Sequence, residues 1–386
     1  KKTLLEHQKQ ALEAVERGFA DYDRGKLLMA CGTGKTFTAL KIAEHYAGKG
    51  KRVLFVVPSL ALIAQTVREW TKDTDTELRS FAVCSDAQVG KRRRDADDVA
   101  EIEVHELEFP ATTQPAKLAQ KAGSIDADRL TVVFSTYQSI PVLTAAHQHG
   151  LPPFDLIICD EAHRTTGATI DGEEASNFVK IHDNQYVQGA KRLYMTATPR
   201  IFGEGARAKA ADAAVSLCDM DDESIYGPTF FTRGFSWAVE NGLLTDYKVV
   251  VLAMDEAVVS KSVQSRLADA GNELQLDDAT KIVGCYKALL KQGDADGFGA
   301  DAQAMRRAIA FCKDIRSSKL IAREFGAVVD EFNEASANEA DRDNAVSCDV
   351  QHVDGTFNAK TRGELLNWLS DDVDDHHCKI LSNARC

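Results

Sequence analysis

A lysine and a threonine that follow a glycine-rich run are the clearest candidates for chemistry in this chain. The segment Met29–Thr36 contains these glycines together with the lysine and the threonine. A short apolar stretch precedes the segment, and apolar residues at helical spacing follow it. Strand, glycine-rich turn and helix form the setting of a phosphate-binding loop, although the general pattern has glycine where this chain has Met29. The loop residues predicted to bind a nucleotide are Gly32, Thr33, Gly34, Lys35 and Thr36. Lys35 would reach the β- and γ-phosphates, and the Thr36 hydroxyl would bind Mg²⁺.

Two adjacent carboxylates lie about 125 residues further along the chain. Asp160 and Glu161 open the tetrapeptide Asp-Glu-Ala-His, which directly follows the apolar run Phe154–Cys159. An aspartate at a strand end can hold Mg²⁺ through its water shell, and an adjacent glutamate can polarise the water that attacks the γ-phosphate. Alone the tetrapeptide is common, but its place after a strand and its pairing with Lys35 predict a catalytic site.

Alternating strands and helices would position these motifs. Short β-rich apolar runs separated by helical stretches predict a doubly wound parallel sheet of the α/β class. The predicted strands are residues 26–29, 52–57, 81–84, 130–134, 154–159 and 191–195, and the predicted helices include 4–19, 60–70 and about 114–122. Ligands of such sheets bind at the carboxyl ends of the strands, where the polar motifs repeatedly fall.

The motifs together resemble those of the superfamily 2 helicases and translocases, in the DEAH-box branch. The resemblance is carried by residues 30–36, by Asp160-Glu161-Ala162-His163 and by Thr196-Ala197-Thr198-Pro199. In that superfamily the first loop position is commonly not glycine. The resemblance implies two RecA-like domains in tandem, the second incomplete, with ATP and Mg²⁺ as cofactors. It also implies that Lys35, Asp160 and Glu161 are catalytic.

The resemblance assigns roles to residues outside the two central motifs. Gln8, in Leu5-Glu6-His7-Gln8, is similar to the residue that reads adenine. Thr196 and Thr198 resemble the motif that couples hydrolysis to nucleic acid, with His163 as a relay partner.

Two strand ends resemble motifs that grip a nucleic-acid backbone. Pro58 and Ser59 stand at the first, and Thr136 and Tyr137 stand at the second. Hydroxyls and N–H groups at helix starts bind phosphates without sequence preference. Ser59 and Thr136 could equally be plain helix caps.

The phrase Gly242–Asp246 resembles the junction between two motor domains. We expect an ATP-binding domain over residues 1–245 and a partial second domain over 246–386, with a helical and loop segment at about 256–303. The second domain's predicted strands are 247–252, 307–312, 346–353 and 379–381 onward, and its predicted helices are about 315–325 and 360–369.

The family's arginine-bearing motif VI does not occur in these 386 residues. The chain also begins at Lys1 and stops just after an apolar strand, so we expect a fragment of a longer polypeptide. Because arginine fingers supply roughly 10³–10⁵ in rate in related phosphoryl transfer, we expect this stretch alone to bind ATP but hydrolyse it weakly.

Composition sets limits on location and partners. Hydrophobic and charged fractions of 44% and 27% are those of an ordinary globular protein, and no apolar run is long enough to span a membrane. Nine scattered cysteines favour reduced thiols in a cytoplasmic protein, and Cys378 beside His376 and His377 is a weak metal candidate. A net charge of −13 disfavours a generally basic nucleic-acid coat but permits a local groove. The basic run Lys91–Arg94 is followed by acidic residues and is typical of a solvated loop.

Residues 25–36 and 380–386 resemble most closely the motors of single-chain type I (type ISP-like) restriction enzymes and related bacterial defence helicases. This resemblance implies a motor that tracks double-stranded DNA, with nuclease and methyltransferase modules outside these residues. Two alternatives stay open: an RNA or strand-separating helicase of the same superfamily, and an ATP-dependent nucleic-acid clamp that does not move.

Overall fold

The computed structural model describes residues 1–83, 111–170, 176–205, 215–247, 249, 254, 259, 263, 274–291, 303–335, 345–357 and 359–384. The chain folds as two compact units, and the second begins at Tyr247, directly after Asp246. The sequence-based boundary, after residue 245, lies one residue earlier. None of the helices in the described part of the chain has the length and apolar character that a membrane crossing requires.

An eight-stranded sheet forms the centre of the first unit. Its strands are β1 (Arg24–Met29), β2 (Arg52–Val57), β3 (Leu78–Val83), β4 (Ala111–Thr112), β5 (Leu130–Thr136), β6 (Phe154–Cys159), β8 (Gly189–Thr196) and β10 (Thr229–Arg233), while β7 (Gly167–Ile170) and β9 (Val215–Cys218) form a separate antiparallel pair. The order across the sheet is β10-β1-β8-β6-β2-β5-β3-β4, and every neighbouring pair is parallel. The predicted α/β class and parallel sheet are therefore confirmed.

Helices cover both faces of this sheet. They are α1 (Glu6–Asp21), α2 (Lys35–Tyr46), α3 (Leu60–Asp73), α4 (Pro115–Gly123), α5 (Ile140–Gln148), α6 (Asn177–Lys180), α7 (Glu223–Tyr226) and α8 (Phe235–Glu240). Alternate residues of β2 belong to opposite cores: Phe55 packs with Trp70 of α3, whereas Leu54 lies in the cluster that contains α5. Burial on both faces explains why β2 is an unbroken apolar run.

Two strands of the large sheet were missed by the sequence prediction, the two-residue β4 and the edge strand β10. β10 pairs with β1 at the sheet edge, and Phe231 is its one buried residue. An edge strand with a single buried side chain lacks the apolar run that marks the other strands. The Phe230 ring of β10 packs closely against Gly18 and Gly25. A Cβ on Gly18 would lie 2.3 Å from this ring and one on Gly25 would lie 2.1 Å from it, which explains why both positions are glycine.

The second unit contains a three-stranded parallel sheet in the order β11-β13-β12. Its strands are β11 (Arg307–Phe311), β12 (Ser347–Asp354) and β13 (His377–Ala384), and its helices are α9 (Leu276–Leu289), α10 (Ile315–Ala335) and α11 (Ala359–Ser370). The prediction ended α10 at residue 325, ten residues before its observed end. The helix continues because Val328 and Val329 extend its buried face. Most of the predicted strand 247–252, much of segment 256–303 and the run Lys91–Arg94 lie outside the described residues.

Candidate functional site

The phosphate-binding loop connects β1 to α2 and needs glycine at two positions. Gly32 and Gly34 have φ of +80° and +85°, in the left-handed region that side chains rarely adopt. A Cβ on Gly34 would lie 2.3 Å from Nε2 of Gln8, and one on Gly32 would lie 2.8 Å from Cδ2 of Leu244. Lys35 is the first residue of α2, so the start of this helix faces the loop.

Gln8 and the loop are joined directly. The Gln8 Nε2 donates to the Thr33 carbonyl oxygen at 3.0 Å, and the His7 Nε2 donates to the same oxygen at 2.9 Å. The Gln8 Oε1 accepts from the Leu5 N–H at 2.9 Å. Both ends of this buried amide are therefore engaged, and they fix the start of α1 against the loop.

Lys35 and Thr36 stand at the start of α2, as a phosphate site requires. The Lys35 Nζ lies 4.0 Å from the Cys31 Sγ, and both residues lie on the solvent side of the loop. The Thr36 carbonyl accepts from the Trp70 Nε1 at 3.0 Å, which fastens α2 to α3. The Thr36 side chain is half-buried.

The two carboxylates differ in their ionisation. Burial raises the pKa of Asp160 to about 6, and the adjacent Glu161 charge adds to this rise, whereas the Lys35 charge opposes it. A hydrogen bond from His163 lowers the pKa of Glu161, and the Lys35 charge lowers it further. Glu161 is therefore ionised at neutral pH. It adopts φ 48° and ψ 46°, a left-handed conformation that is uncommon for glutamate and typical of functional sites.

His163 links the acidic motif to the end of β8. Its Nδ1 lies 2.9 Å from the Thr196 Oγ1 and 3.4 Å from the Glu161 Oε2. The Thr196 Oγ1 also accepts from the Thr198 N–H at 3.2 Å. The structure thus brings together three of the predicted coupling residues and the predicted base.

The four predicted nucleic-acid residues are placed differently from one another. Ser59 caps α3, with its Oγ accepting from the Leu62 N–H at 3.4 Å, and Pro58 before it is buried. Thr136 is fully buried and shares a 2.8 Å hydrogen bond with the Ser139 hydroxyl.

Tyr137 is fully buried, and its hydroxyl donates to the Asp160 carbonyl at 2.8 Å. A side chain with no exposed surface does not touch a ligand at the protein surface. In this structure Tyr137 therefore braces the acidic motif, and any contact it made with nucleic acid would come through its backbone. The apolar core behind Tyr137 explains this burial; it includes Phe178, whose ring stacks on the Tyr137 ring with centroids 5.2 Å apart.

The donor set fits a magnesium ion that is bound together with a nucleotide. Thr36 supplies a hydroxyl and Asp160 supplies a carboxylate, as predicted for Mg²⁺. Among the described residues there is no group of three His, Cys, Asp or Glu residues suited to a metal. Mg²⁺ commonly uses one or two protein ligands plus substrate phosphates and water. Cys378 and its neighbouring histidines form no such metal group, and the seven cysteines of the described part are free thiols.

Sequence reasoning missed a buried network behind the acidic motif. His182 donates from Nε2 to the Thr165 carbonyl at 3.2 Å and accepts at Nδ1 from the Tyr194 hydroxyl at 2.9 Å. The Thr165 and Tyr226 hydroxyls share a 2.9 Å hydrogen bond. Burial lowers the pKa of His182 to about 3, so its imidazole is neutral. The network holds the short 3₁₀ turn Ala162–Thr165 that follows Glu161.

A second network was also missed, at the carboxyl ends of the strands in the second unit. The Ser318 Oγ lies 2.7 Å from the His352 Nδ1 and 2.8 Å from the Ser382 Oγ, and the His352 Nε2 donates to Asp354 at 2.8 Å. Ser318, Asp354 and Ser382 have no exposed surface, so this is a structural relay rather than a nucleophile site. It ties α10 to the ends of β12 and β13.

A phosphate-binding loop, a strand-end Asp-Glu-Ala-His and a strand-end Thr-Ala-Thr on one parallel sheet define a superfamily 2 helicase. The family model of the type III restriction enzyme res subunit matches residues 1–201. The chain belongs to this family. The sequence-based assignment to the helicases of type I restriction enzymes is confirmed.

Solved structures of larger enzymes contain the same fold. The type ISP restriction-modification enzyme LlaBIII bound to DNA is 40% identical, with a TM-score of 0.80 over 100% of this chain and 24% of that chain. A nuclease-deletion mutant of the type ISP enzyme LlaGI, in complex with a DNA substrate mimic, is 34% identical, with a TM-score of 0.64 over 98% of this chain and 24% of that chain.

A viral relative matches about two thirds of the chain. Probable helicase A859L of African swine fever virus is 29% identical over 258 residues, which are 65% of this chain and 25% of the relative. The chain therefore spans about a quarter of the length of the proteins it matches here.

Proposed function

We propose that this chain is the motor of an ATP-dependent translocase that tracks double-stranded DNA within a larger restriction or defence enzyme. The observation that carries the proposal is the pair of direct links from the acidic motif: His163 to Thr196, and Tyr137 to the Asp160 carbonyl. A motor needs contacts that pass the state of the nucleotide to residues near nucleic acid. These links join the hydrolytic residues to the end of β8 and to the end of β5.

Each site residue has a role in this proposal. Lys35 neutralises the β- and γ-phosphates, and Thr36 and Asp160 would hold Mg²⁺, which would supply further positive charge to the phosphates. Glu161, ionised at neutral pH, orients and deprotonates the attacking water. Gln8 reads adenine through its amide, which its hydrogen bonds to Thr33 and Leu5 hold beside the loop.

The DNA assignment is supported by local structure as well as by relatives. The type ISP enzymes that resemble this chain were solved with DNA or with a DNA mimic. Ser59 and the backbone of Thr136, whose side chain is fully buried, stand where β2 and β5 end, and these strands are neighbours in the sheet. Both ends face the edge that carries the acidic motif. We place the nuclease and methyltransferase modules elsewhere in the same enzyme.

The polynucleotide that stimulates hydrolysis tests the proposal. ATP turnover of the larger enzyme that contains this chain is measured with linear duplex DNA, single-stranded DNA, duplex RNA and no nucleic acid, at one fixed salt concentration. We expect duplex DNA to give the largest stimulation. Stronger stimulation by RNA or by single strands would favour the strand-separating alternative, and equal turnover in all four conditions would refute the proposed motor.

A further inference from the structure

A cavity of about 230 Å³, lined by both apolar and polar side chains, opens beside β4 at one end of the large sheet. Its polar lining comes from the β4 end and from α4: Thr112, Thr113, Gln114, Lys117 and Lys121. No acidic residue is among the described residues that line it. Two lysines and no carboxylate among these lining residues favour an anionic ligand.

The sheet register places this cavity in line with the predicted DNA contacts. Val56 pairs with Ser135, Ser135 pairs with Val83, and Val83 pairs with Thr112. These four residues form one row across β2, β5, β3 and β4, so their strands end at the same edge. With strands about 4.8 Å apart, the row spans roughly 14 Å. Thr113 therefore follows this row at the end of β4, as Thr136 follows it at the end of β5.

The cavity is built on a braced element rather than on a free loop. The Arg79 Nη2 donates to the Lys121 carbonyl at 2.7 Å, and its Nη1 donates to the Ser124 carbonyl at 3.2 Å. The guanidinium also lies 5.2 Å from the centre of the Phe81 ring, which lines the cavity floor. Arg79 thereby fixes the C-terminal end of α4 against β3.

The N-terminal end of α4 adds to the positive character. Gln114 occupies the N-cap position and makes no side-chain hydrogen bond to the helix. The first N–H groups of a helix point outward and favour anions. Lys117 and Lys121 are four residues apart on this helix and so lie on one face, both exposed.

We propose that this edge cavity is a further contact for the sugar–phosphate backbone of duplex DNA, with Lys117 and Lys121 as its cations. The proposal rests on the proposed function, because it extends the same DNA path beyond the ends of β2 and β5. Lysines bind phosphate as mobile point charges, so the contact carries no base specificity. A duplex advances one charge per 3.4 Å on each strand, so the 14 Å row matches roughly four nucleotides of one strand.

The salt dependence of DNA binding tests this proposal. K117A/K121A is compared with wild type in duplex-DNA titrations from 0.05 to 0.4 M salt, without ATP. Each lost phosphate contact lowers the slope of log K against log[salt] by about 0.9, so we expect a slope smaller by roughly 1.8. If the two proteins bind equally at 1 M salt, the variant is about 60-fold weaker at 0.1 M.

Two further variants make the result specific. K117R/K121R keeps the charge and should retain the wild-type slope. K49A/K72A removes two exposed lysines, just before β2 and near the end of α3, that do not line the cavity, with the same change of net charge. It should leave the slope within 0.3 of wild type.

The possible outcomes separate this proposal from the function on which it rests. An unchanged slope in K117A/K121A, with ATP turnover still stimulated by duplex DNA, would overturn the edge-cavity contact alone. Equal losses in K117A/K121A and K49A/K72A would also overturn it, because they would reflect net charge. Absence of duplex binding in wild type would refute the proposed function instead. If the double variant fails to fold, K117A alone should lower the slope by about 0.9.

Discussion

Replacement of Gly34 by alanine tests whether Gln8 and the phosphate-binding loop form one unit. Gly34 has φ +85°, and a Cβ there would lie 2.3 Å from the Gln8 Nε2. Left-handed backbone costs an alanine about 1–2 kcal/mol, and the contact forces the Gln8 amide to move by roughly 1 Å. That movement breaks its bond to the Thr33 carbonyl, which costs about 1 kcal/mol more.

Gly242 provides the matched control for the backbone effect. Its φ is +67°, and a Cβ there meets nothing within 4 Å. G242A therefore carries the left-handed strain without a clash, and we expect it to lower the free energy of unfolding by about 1–2 kcal/mol. G34A should lower it by about 2–3 kcal/mol and weaken ATP binding at least tenfold, whereas G242A should leave ATP affinity within twofold.

A double-mutant cycle isolates the contact itself. Q8A removes the atom that the new Cβ meets, so Q8A/G34A should be more stable than the two single changes predict when they are added. We expect a coupling free energy on the order of 1 kcal/mol, measured by urea unfolding and compared with ATP affinities from calorimetry. Equal destabilisation by G34A and G242A, or strict additivity in the cycle, would refute the reasoning.

Three further predictions follow from the acidic motif and the network behind it. E161Q should lower ATP turnover by 10²–10⁴-fold while ATP affinity changes less than threefold, and intact turnover would exclude Glu161 as the base. T196V removes the hydroxyl bonded to His163, so basal ATP turnover should persist while stimulation by DNA falls several-fold; retained stimulation would contradict the coupling role. Because the pKa of His182 is about 3 when folded and near 6.5 when unfolded, stability falls as pH drops below 6.5, by about 2 kcal/mol at pH 5. H182F should lack this loss of stability. The raised pKa of Asp160 stabilises the folded state as pH falls, but it does so equally in both proteins, so the difference between their changes in unfolding free energy from pH 7 to pH 5, measured with urea, isolates His182. Identical pH dependence of the two proteins would contradict this role of His182.

Local sequence patterns predicted the central elements of the fold because burial on both sheet faces leaves an unbroken apolar run. β2 spans Arg52–Val57, the residues predicted for it. The same reasoning failed for β10, whose single buried residue gives no run, and underestimated α10, whose buried face continues past the predicted end.

The site was predictable where chemistry and position coincide in a short motif. Lys35, Asp160 and Thr196 follow buried strands of one sheet, so their shared edge follows from the parallel topology. Contacts between distant residues carry no such local signal. The Thr165–Tyr226 bond joins residues 61 positions apart, and the burial of Tyr137 depends on the core packed behind it.

Movement along duplex DNA is the central claim, and displacement of a third strand tests it most directly. The protein is incubated with ATP and a duplex that carries a triplex-forming oligonucleotide away from the loading site. We expect ATP-dependent release of the oligonucleotide, with a delay that grows with its distance from that site, and no release by E161Q. ATP hydrolysis that is stimulated by the duplex while the third strand stays bound would contradict translocation and identify a clamp.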